Sequence, residues 1–146
     1  MAAFSPKSQD ALTSFGLFTV RMVAGLALCF HGWPKMANIS SWMSAMPEPA
    51  PGYLQALAAL SEFAGGIAIA AGLLTPIAAL GVLCTMAYAV NYHFSAGHPF
   101  IAKPVADGVG PSYEPALVYA MVALCLLCSG PGKLSLDSVL FGGKKK

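Results

Sequence analysis

Six side chains able to ionise or hydrogen-bond stand within or at the ends of long apolar stretches of this 146-residue sequence: Arg21, His31, Glu62, Asn91, His93 and Glu114. In hydrocarbon such groups are costly and turn toward protein partners, so their types and depths carry information about chemistry. Arg21 lies about ten residues into the first apolar stretch and Glu62 about nine into the second. At a rise of ~1.5 Å per residue, both reach the middle of a bilayer on neighbouring antiparallel helices. An unpaired arginine there costs at least ~2.5–3.5 kcal/mol, and a glutamate at the same depth is the natural remedy. An Arg21–Glu62 ion pair is therefore expected, with Gly65 and Gly66 allowing close helix approach. Such a pair either clamps two helices together or belongs to a functional site.

A second group gathers near one surface. His31 closes the first apolar stretch, Asn91 and His93 close the third, and Glu114 opens the fourth. Three helices thus deliver polar groups to one level. That combination can bind a divalent metal, relay protons, or hydrogen-bond the carbonyl of a quinone-like ligand, and Lys35 and His98 can join it from loops. Purely structural roles compete. His31 can cap a helix end at Pro34, Glu114 suits a helix start through the dipole alone, and Asn91 and His93, two residues apart, cannot share one helix face. The expected catalytic set is His31, Glu114, Arg21 and Glu62, with Lys35, Asn91 and His93 as ligand contacts and no metal site assigned.

The elements that must position these groups are four apolar segments of near-membrane length, 11–32, 53–74, 76–95 and 113–130, each bounded by Pro or Gly. Segment 64–74 has no charged face at all, which lipid-facing helices explain and water-facing helices do not. The loop 33–52 is long and apolar. Met36, Ile39, Met43 and Met46 recur there at helical spacing beside Trp33 and Trp42, which predicts a short helix lying in the outer interface. The stretch 96–112 is polar and contains Gly and Pro, as an outer loop would. The fold expected is an all-α, integral membrane four-helix bundle of up-down topology, forming a single domain over residues 1–146.

Composition agrees with that architecture. Hydrophobic residues make up 57% and charged residues 10%, against about a quarter charged in a soluble domain. The net charge of +2 is too small and too scattered for nucleic-acid binding. Lys7 precedes the first stretch, but Arg21 interrupts it and no small-residue cleavage pattern follows, so that stretch is expected to stay in the mature protein. Four crossings would put both termini on the side of Lys7, Lys133 and the terminal Lys144, Lys145 and Lys146, with Lys35 and Lys103 opposite. The positive-inside rule then places both termini in the cytoplasm, with the terminal lysines as an anchor to anionic lipid.

Cys125 and Cys128 form a C-x-x-C, but within an apolar helix, where hydrocarbon raises a thiol pKa instead of lowering it. With Cys29 and Cys84 they read as small apolar side chains. The loop methionines read as lipid contacts in preference to copper ligands. Dinucleotide, P-loop and c-type haem signatures are absent from the sequence.

Several ordered motifs resemble the DoxX family of small bacterial membrane proteins: Arg21…Gly25…His31-Gly32-x-x-Lys35, Glu62-Phe63-x-Gly65-Gly66, Gly72-Leu73-Leu74-Thr75-Pro76, Tyr113-Glu114 before Ala116-Leu117-x-Tyr119, and Gly130-Pro131-Gly132-Lys133-Leu134-Ser135-Leu136-Asp137. The resemblance spans nearly the whole chain. It implies a four-helix membrane bundle and an association with redox systems, since members are often labelled oxidoreductases and some relatives are linked to thiosulfate:quinone oxidation. Arg21, His31, Lys35, Glu62 and Glu114 match the polar elements of the pattern. The leading expectation is thus a membrane oxidoreductase subunit, linked to quinone or a redox partner, within the lipid bilayer and a larger membrane-protein complex. The rivals are a non-catalytic assembly or scaffold protein, or one handling small solutes or metals.

Overall fold

A computed structural model describes residues 10–106 and 108–142. Lys7 and Lys144–Lys146, and with them the terminal anchor, lie outside the described residues. Helix α1 spans Ala11–Met36, α2 Gly52–Ala71, α3 Thr75–Ser95 and α4 Glu114–Ser129; a short α5, Leu136–Phe141, follows. The chain is an all-α membrane protein in its main elements. Helices α1, α2 and α3 are each long and apolar enough to cross a bilayer. The 16 residues of α4 span only ~24 Å, short of a ~30 Å hydrocarbon core.

Helix α1 begins where the Asp10 carboxylate accepts the Thr13 N–H at 2.6 Å, satisfying one of the donors a helix start leaves open. The expected closure at Pro34 does not occur, and α1 runs through the proline to Met36. Its 26 residues extend ~39 Å, so its last turn extends past a hydrocarbon core of ~30 Å. That turn is held by the tilted contact of the Trp33 and Phe63 rings, centroids 5.5 Å apart, and by an ion pair made by Lys35.

The backbones of α1 and α2 nearly touch. A Cβ on Gly25 would lie 2.6 Å from the Gly66 carbonyl oxygen, and one on Gly32 would lie 2.5 Å from the Phe63 nitrogen. Gly66 therefore permits the approach as expected, with Gly25 and Gly32 as its counterparts; Gly65 instead faces Val82 and Ala78 of α3. Close approach of small residues is the usual means of packing helices in lipid, where apolar burial gives no advantage over tail contact.

Helix α2 ends at Ala71, three residues before the expected Leu74. Gly72, at φ +67°, turns the chain out of the helix, a conformation that glycine adopts without steric cost. Leu74 also has positive φ. The Asp137 carboxylate holds it there, accepting the N–H groups of Leu74 at 2.7 Å and Thr75 at 2.9 Å. A residue far along the chain thus caps the start of α3. Beyond the turn, Ala79, Val82 and Met86 of α3 pack on Ala120, Ala123 and Leu126 of α4. Helix α1 packs on α2, α2 on α3 and α3 on α4, with only slight contact between α1 and α4. The outer faces carry exposed Leu12, Phe15, Val23, Phe30, Ile67 and Ile77, a surface suited to lipid tails and not to water.

The short interfacial helix expected over 33–52 is absent. Residues 37–45 form successive tight turns, Ser41 on Asn38, Ser44 on Ser41 and Met46 on Met43. Asn and Ser side chains compete with helical hydrogen bonding there, Pro47, Pro49 and Pro51 follow, and Gln55 bends the loop back. Its side-chain oxygen accepts the Met43 N–H at 2.9 Å, its amide donates to the Ala50 carbonyl at 2.7 Å, and its own carbonyl accepts the Trp42 indole N–H at 3.0 Å. In the 96–113 loop, β1 (Pro104–Val105) pairs antiparallel with β2 (Gly108–Val109).

Asp137→Ala removes both acceptors from the start of α3. It is expected to lower the unfolding free energy by about 1–3 kcal/mol, read as a drop of several degrees in the thermal midpoint in detergent. Asp137→Asn, which keeps an oxygen acceptor, should lose less. A midpoint unchanged by either substitution would contradict the capping role.

Candidate functional site: a cavity walled by an ion pair

Arg21 and Glu62 do not meet. With Gly25 opposite Gly66, the antiparallel register puts Arg21 near residue 70 and Glu62 near residue 29, an offset of about 12 Å along the helix axis. Depth counted from the segment ends misplaces both residues, because α1 overruns on the loop side and α2 stops early. Arg21, fully buried, sits instead at the α2–α3 turn. Its guanidinium donates to the Ile69 carbonyl at 3.4 Å and to the Leu134 carbonyl. It lies close enough to Gly72 that a side chain there would collide with it, and Asp137 supplies the opposing charge. Arg21 therefore binds α1, the end of α2 and the segment after α4 into one knot.

Glu62 is 3% exposed and pairs with Lys35, whose Nζ lies 2.6 Å from Oε1 and 2.5 Å from Oε2. The same ammonium lies 4.5 Å from the centre of the Trp42 ring, close enough for a cation–π contribution. Pairing is what makes a buried carboxylate tolerable in hydrocarbon.

The pair stands in the wall of a cavity of about 640 Å³ between α2, α3 and the 37–51 loop. Its lining is mostly apolar, with Gln55, His93 and the Ser61–Thr85 hydroxyl pair, 2.6 Å apart, as further polar groups. Leu54, Leu57 and Tyr88 line it and are themselves exposed, so its lip opens on the lipid-facing side of the helices. Size and lining match those of small-molecule sites, typically ~300–1,000 Å³.

The other expected residues separate. His31 packs edge-on against Tyr119 of α4, ring centroids 5.8 Å apart. Asn91 is exposed at the end of α3. His93 lines the cavity and bonds to His98, Nδ1 to Nδ1, at 2.9 Å. Glu114 opens α4, where its backbone N–H donates to the Phe100 carbonyl at 3.2 Å. Among the described residues no three of His, Cys, Asp or Glu come together as a metal site, and of His31, Asn91, His93 and Glu114 the cavity is lined by His93 alone. Gln55 and Asp137 were not among the residues expected to act. Both were signalled: Gln55 is a lone amide in the apolar run 53–60, and Asp137 ends the Gly130–Asp137 motif.

Residues 16–96 match the family model described as DoxX. The chain is 29% identical over 136 residues to inner membrane protein YqjF of Escherichia coli (strain K12), covering 88% of this chain and 95% of that protein. It is also 29% identical over 122 residues to an uncharacterized protein of Haemophilus influenzae, covering 84% of this chain and 88% of that one. No solved structure matches it.

Lys35→Met leaves Glu62 buried beside no cation, and a loss of about 3 kcal/mol is expected. The double variant Lys35→Met/Glu62→Met should regain most of it, because an apolar pair carries no uncompensated charge. Denaturant titration in mixed micelles reads the difference, and a double variant no more stable than Lys35→Met would refute the pairing.

Proposed function

Since this chain belongs to the DoxX family of membrane proteins, we propose that it is a redox-linked subunit of the bacterial inner membrane that takes a quinone headgroup into the cavity beside Lys35 and Glu62. In this reading the four apolar helices cross up and down, with both termini in the cytoplasm and the 37–51 and 96–113 loops outside. The name of the Escherichia coli relative supports the membrane assigned.

The observation that carries the proposal is a buried, ion-paired lysine and glutamate in the wall of an apolar cavity that opens toward lipid. A ligand entering there comes from the bilayer, so it must be lipid-soluble, yet it meets polar groups at the far wall. A quinone has that division, with an apolar tail and two carbonyl acceptors. The Lys35 ammonium can donate to one carbonyl, and His93 offers a second polar contact. Reduction of a quinone requires two electrons and two protons. Glu62 is placed to hold the charge balance at Lys35 while a proton moves, which is the ordinary work of a positioned acid–base pair. The electrons enter from a partner, since the sequence carries no dinucleotide or haem signature. Arg21 takes no part in this site; its role is to join helix ends. His31, Asn91 and Glu114 lie outside the proposed ligand contacts.

Trp42 lines the cavity and reports on it. In a Trp33→Phe background it is the remaining tryptophan of the two in the chain. A short-chain ubiquinone analogue is expected to quench its fluorescence saturably. Gly81, on the α3 wall, has room for added side-chain atoms, so Gly81→Leu should fill the cavity and abolish saturation at unchanged helix content by circular dichroism. Linear, non-saturating quenching that is equal in both proteins would reflect partition into the micelle and overturn the proposal.

A further inference from the structure

Helix α4 is shorter than its neighbour, and the deficit falls at one end. The 21 residues of α3 rise ~31 Å, the height of a ~30 Å hydrocarbon core, whereas the 16 of α4 rise ~24 Å. The two run antiparallel, with Ala79, Val82 and Met86 packed on Ala120, Ala123 and Leu126. Counting along that seam puts Glu114 about level with Asn91, one turn short of the end of α3. The Phe94 ring meets that of Tyr113 near the same level, centroids 5.9 Å apart. Non-helical chain therefore stands beside the last turn of α3, over ~6 Å that belong to lipid tails.

The loop after α3 turns back to meet that start. Gly97, at φ +74°, reverses the chain in the left-handed region that glycine adopts freely. The His98 N–H closes the turn on the His93 carbonyl at 3.0 Å, and the two imidazoles bond across it, Nδ1 to Nδ1 at 2.9 Å. The carbonyls of Pro99 and Phe100 then accept the N–H groups of Tyr113 at 3.4 Å and Glu114 at 3.2 Å, and Pro115 has no N–H to satisfy. A helix start in water can leave such donors to solvent; here protein covers them, as hydrocarbon requires. The Lys103 carbonyl likewise accepts the Gly110 N–H at 2.9 Å, and β1 pairs with β2. The backbone turns inward and the apolar side chains turn outward. Ile101 is 62% exposed, and Phe100, Val105 and Val109 are exposed with it. Phe100 also shares an apolar groove with Val20 of α1 and with Val118 and Met121 of α4, so its surface continues the lipid-facing side of the helices.

We infer that segment 99–105 is a re-entrant anchor whose partner is the phospholipid of the leaflet on the loop side. Phe100 and Ile101 stand among the upper acyl chains, and the exposed Lys103 reaches the phosphate level along its apolar stem. The segment thereby supplies the height that α4 lacks. This requires only that α3 crosses the bilayer; it is independent of the quinone site and of the side on which the termini lie.

The test places a single tryptophan as a depth probe. In a Trp33→Phe/Trp42→Phe background, Ile101→Trp and, separately, Phe100→Trp are reconstituted into phosphatidylcholine bilayers. Val118→Trp, on the exposed face of α4, is the lipid reference. Lipid brominated on its chains is expected to quench both loop probes nearly as strongly as the reference. Bromine near the headgroup end should quench them about twofold more than bromine near the tail end, as a depth of ~5–10 Å implies. Acrylamide, which stays in water, should barely reach them. Loop probes open to acrylamide and blind to brominated chains, with the reference quenched and circular dichroism unchanged, would place the segment in water and overturn the inference. Probes blind to both quenchers would mean that a second copy or another protein covers the segment, and would overturn it equally.

Discussion

A carboxylate placed among hydrocarbon chains must find a cation, and the geometry of this protein follows from how Glu62 finds one. Lys35 reaches it only because α1 runs through Pro34 to Met36. Had the helix stopped at the proline, the lysine would have turned into the loop and the carboxylate would have stood alone. The close contact of Gly25 with Gly66 and of Gly32 with Phe63 sets the register in which the pair forms. Widening that contact by one methyl group on any of these three glycines would displace both charges. The ion pair, the helix overrun and the glycine seam are thus one constraint seen at three levels.

The opposite end of the helices answers the same problem differently. Arg21 has no carboxylate within salt-bridge distance among the described residues; it is held mainly by the Ile69 and Leu134 carbonyls. Those carbonyls are available because Gly72 ends α2 and because Gly130 and Gly132, both at positive φ, bend the chain after α4 back across the turn. Asp137 arrives with that segment, caps α3 and offsets the arginine's charge. One end is therefore a knot of backbone and side-chain hydrogen bonds, fixed and closed. The other holds an open cavity, where the proposed ligand would bind.

Much of this was legible in the residues. Low charge, Pro and Gly boundaries and the bare 64–74 stretch marked membrane-length helices near the positions observed. The need of Arg21 and Glu62 for partners was also legible, because it follows from burial alone. Their identities were not, since depth along a helix can be counted only from known ends and each end was displaced by a contact distant in sequence: Lys35 on Glu62, Asp137 on Leu74 and Thr75. The 37–51 loop misled for the same reason. Its methionines have helical spacing, but Gln55, a single amide on the next helix, claims the loop's backbone groups. His93 and His98 stand five residues apart in the sequence, yet their hydrogen bond depends on the φ of Gly97.

Neutralisation of Glu62 by Lys35 is tested most directly by a distance measurement in lipid. Solid-state NMR on protein with ¹⁵N-labelled lysine and arginine side chains and ¹³C-labelled glutamate carboxylates, in bilayers, should show one strong Nζ–carboxylate dipolar coupling. Lys35→Met should abolish that signal, and Lys103→Met should leave it intact. A strong coupling from the glutamate carboxylate to an arginine guanidinium in place of a lysine would contradict the account, returning Glu62 to Arg21.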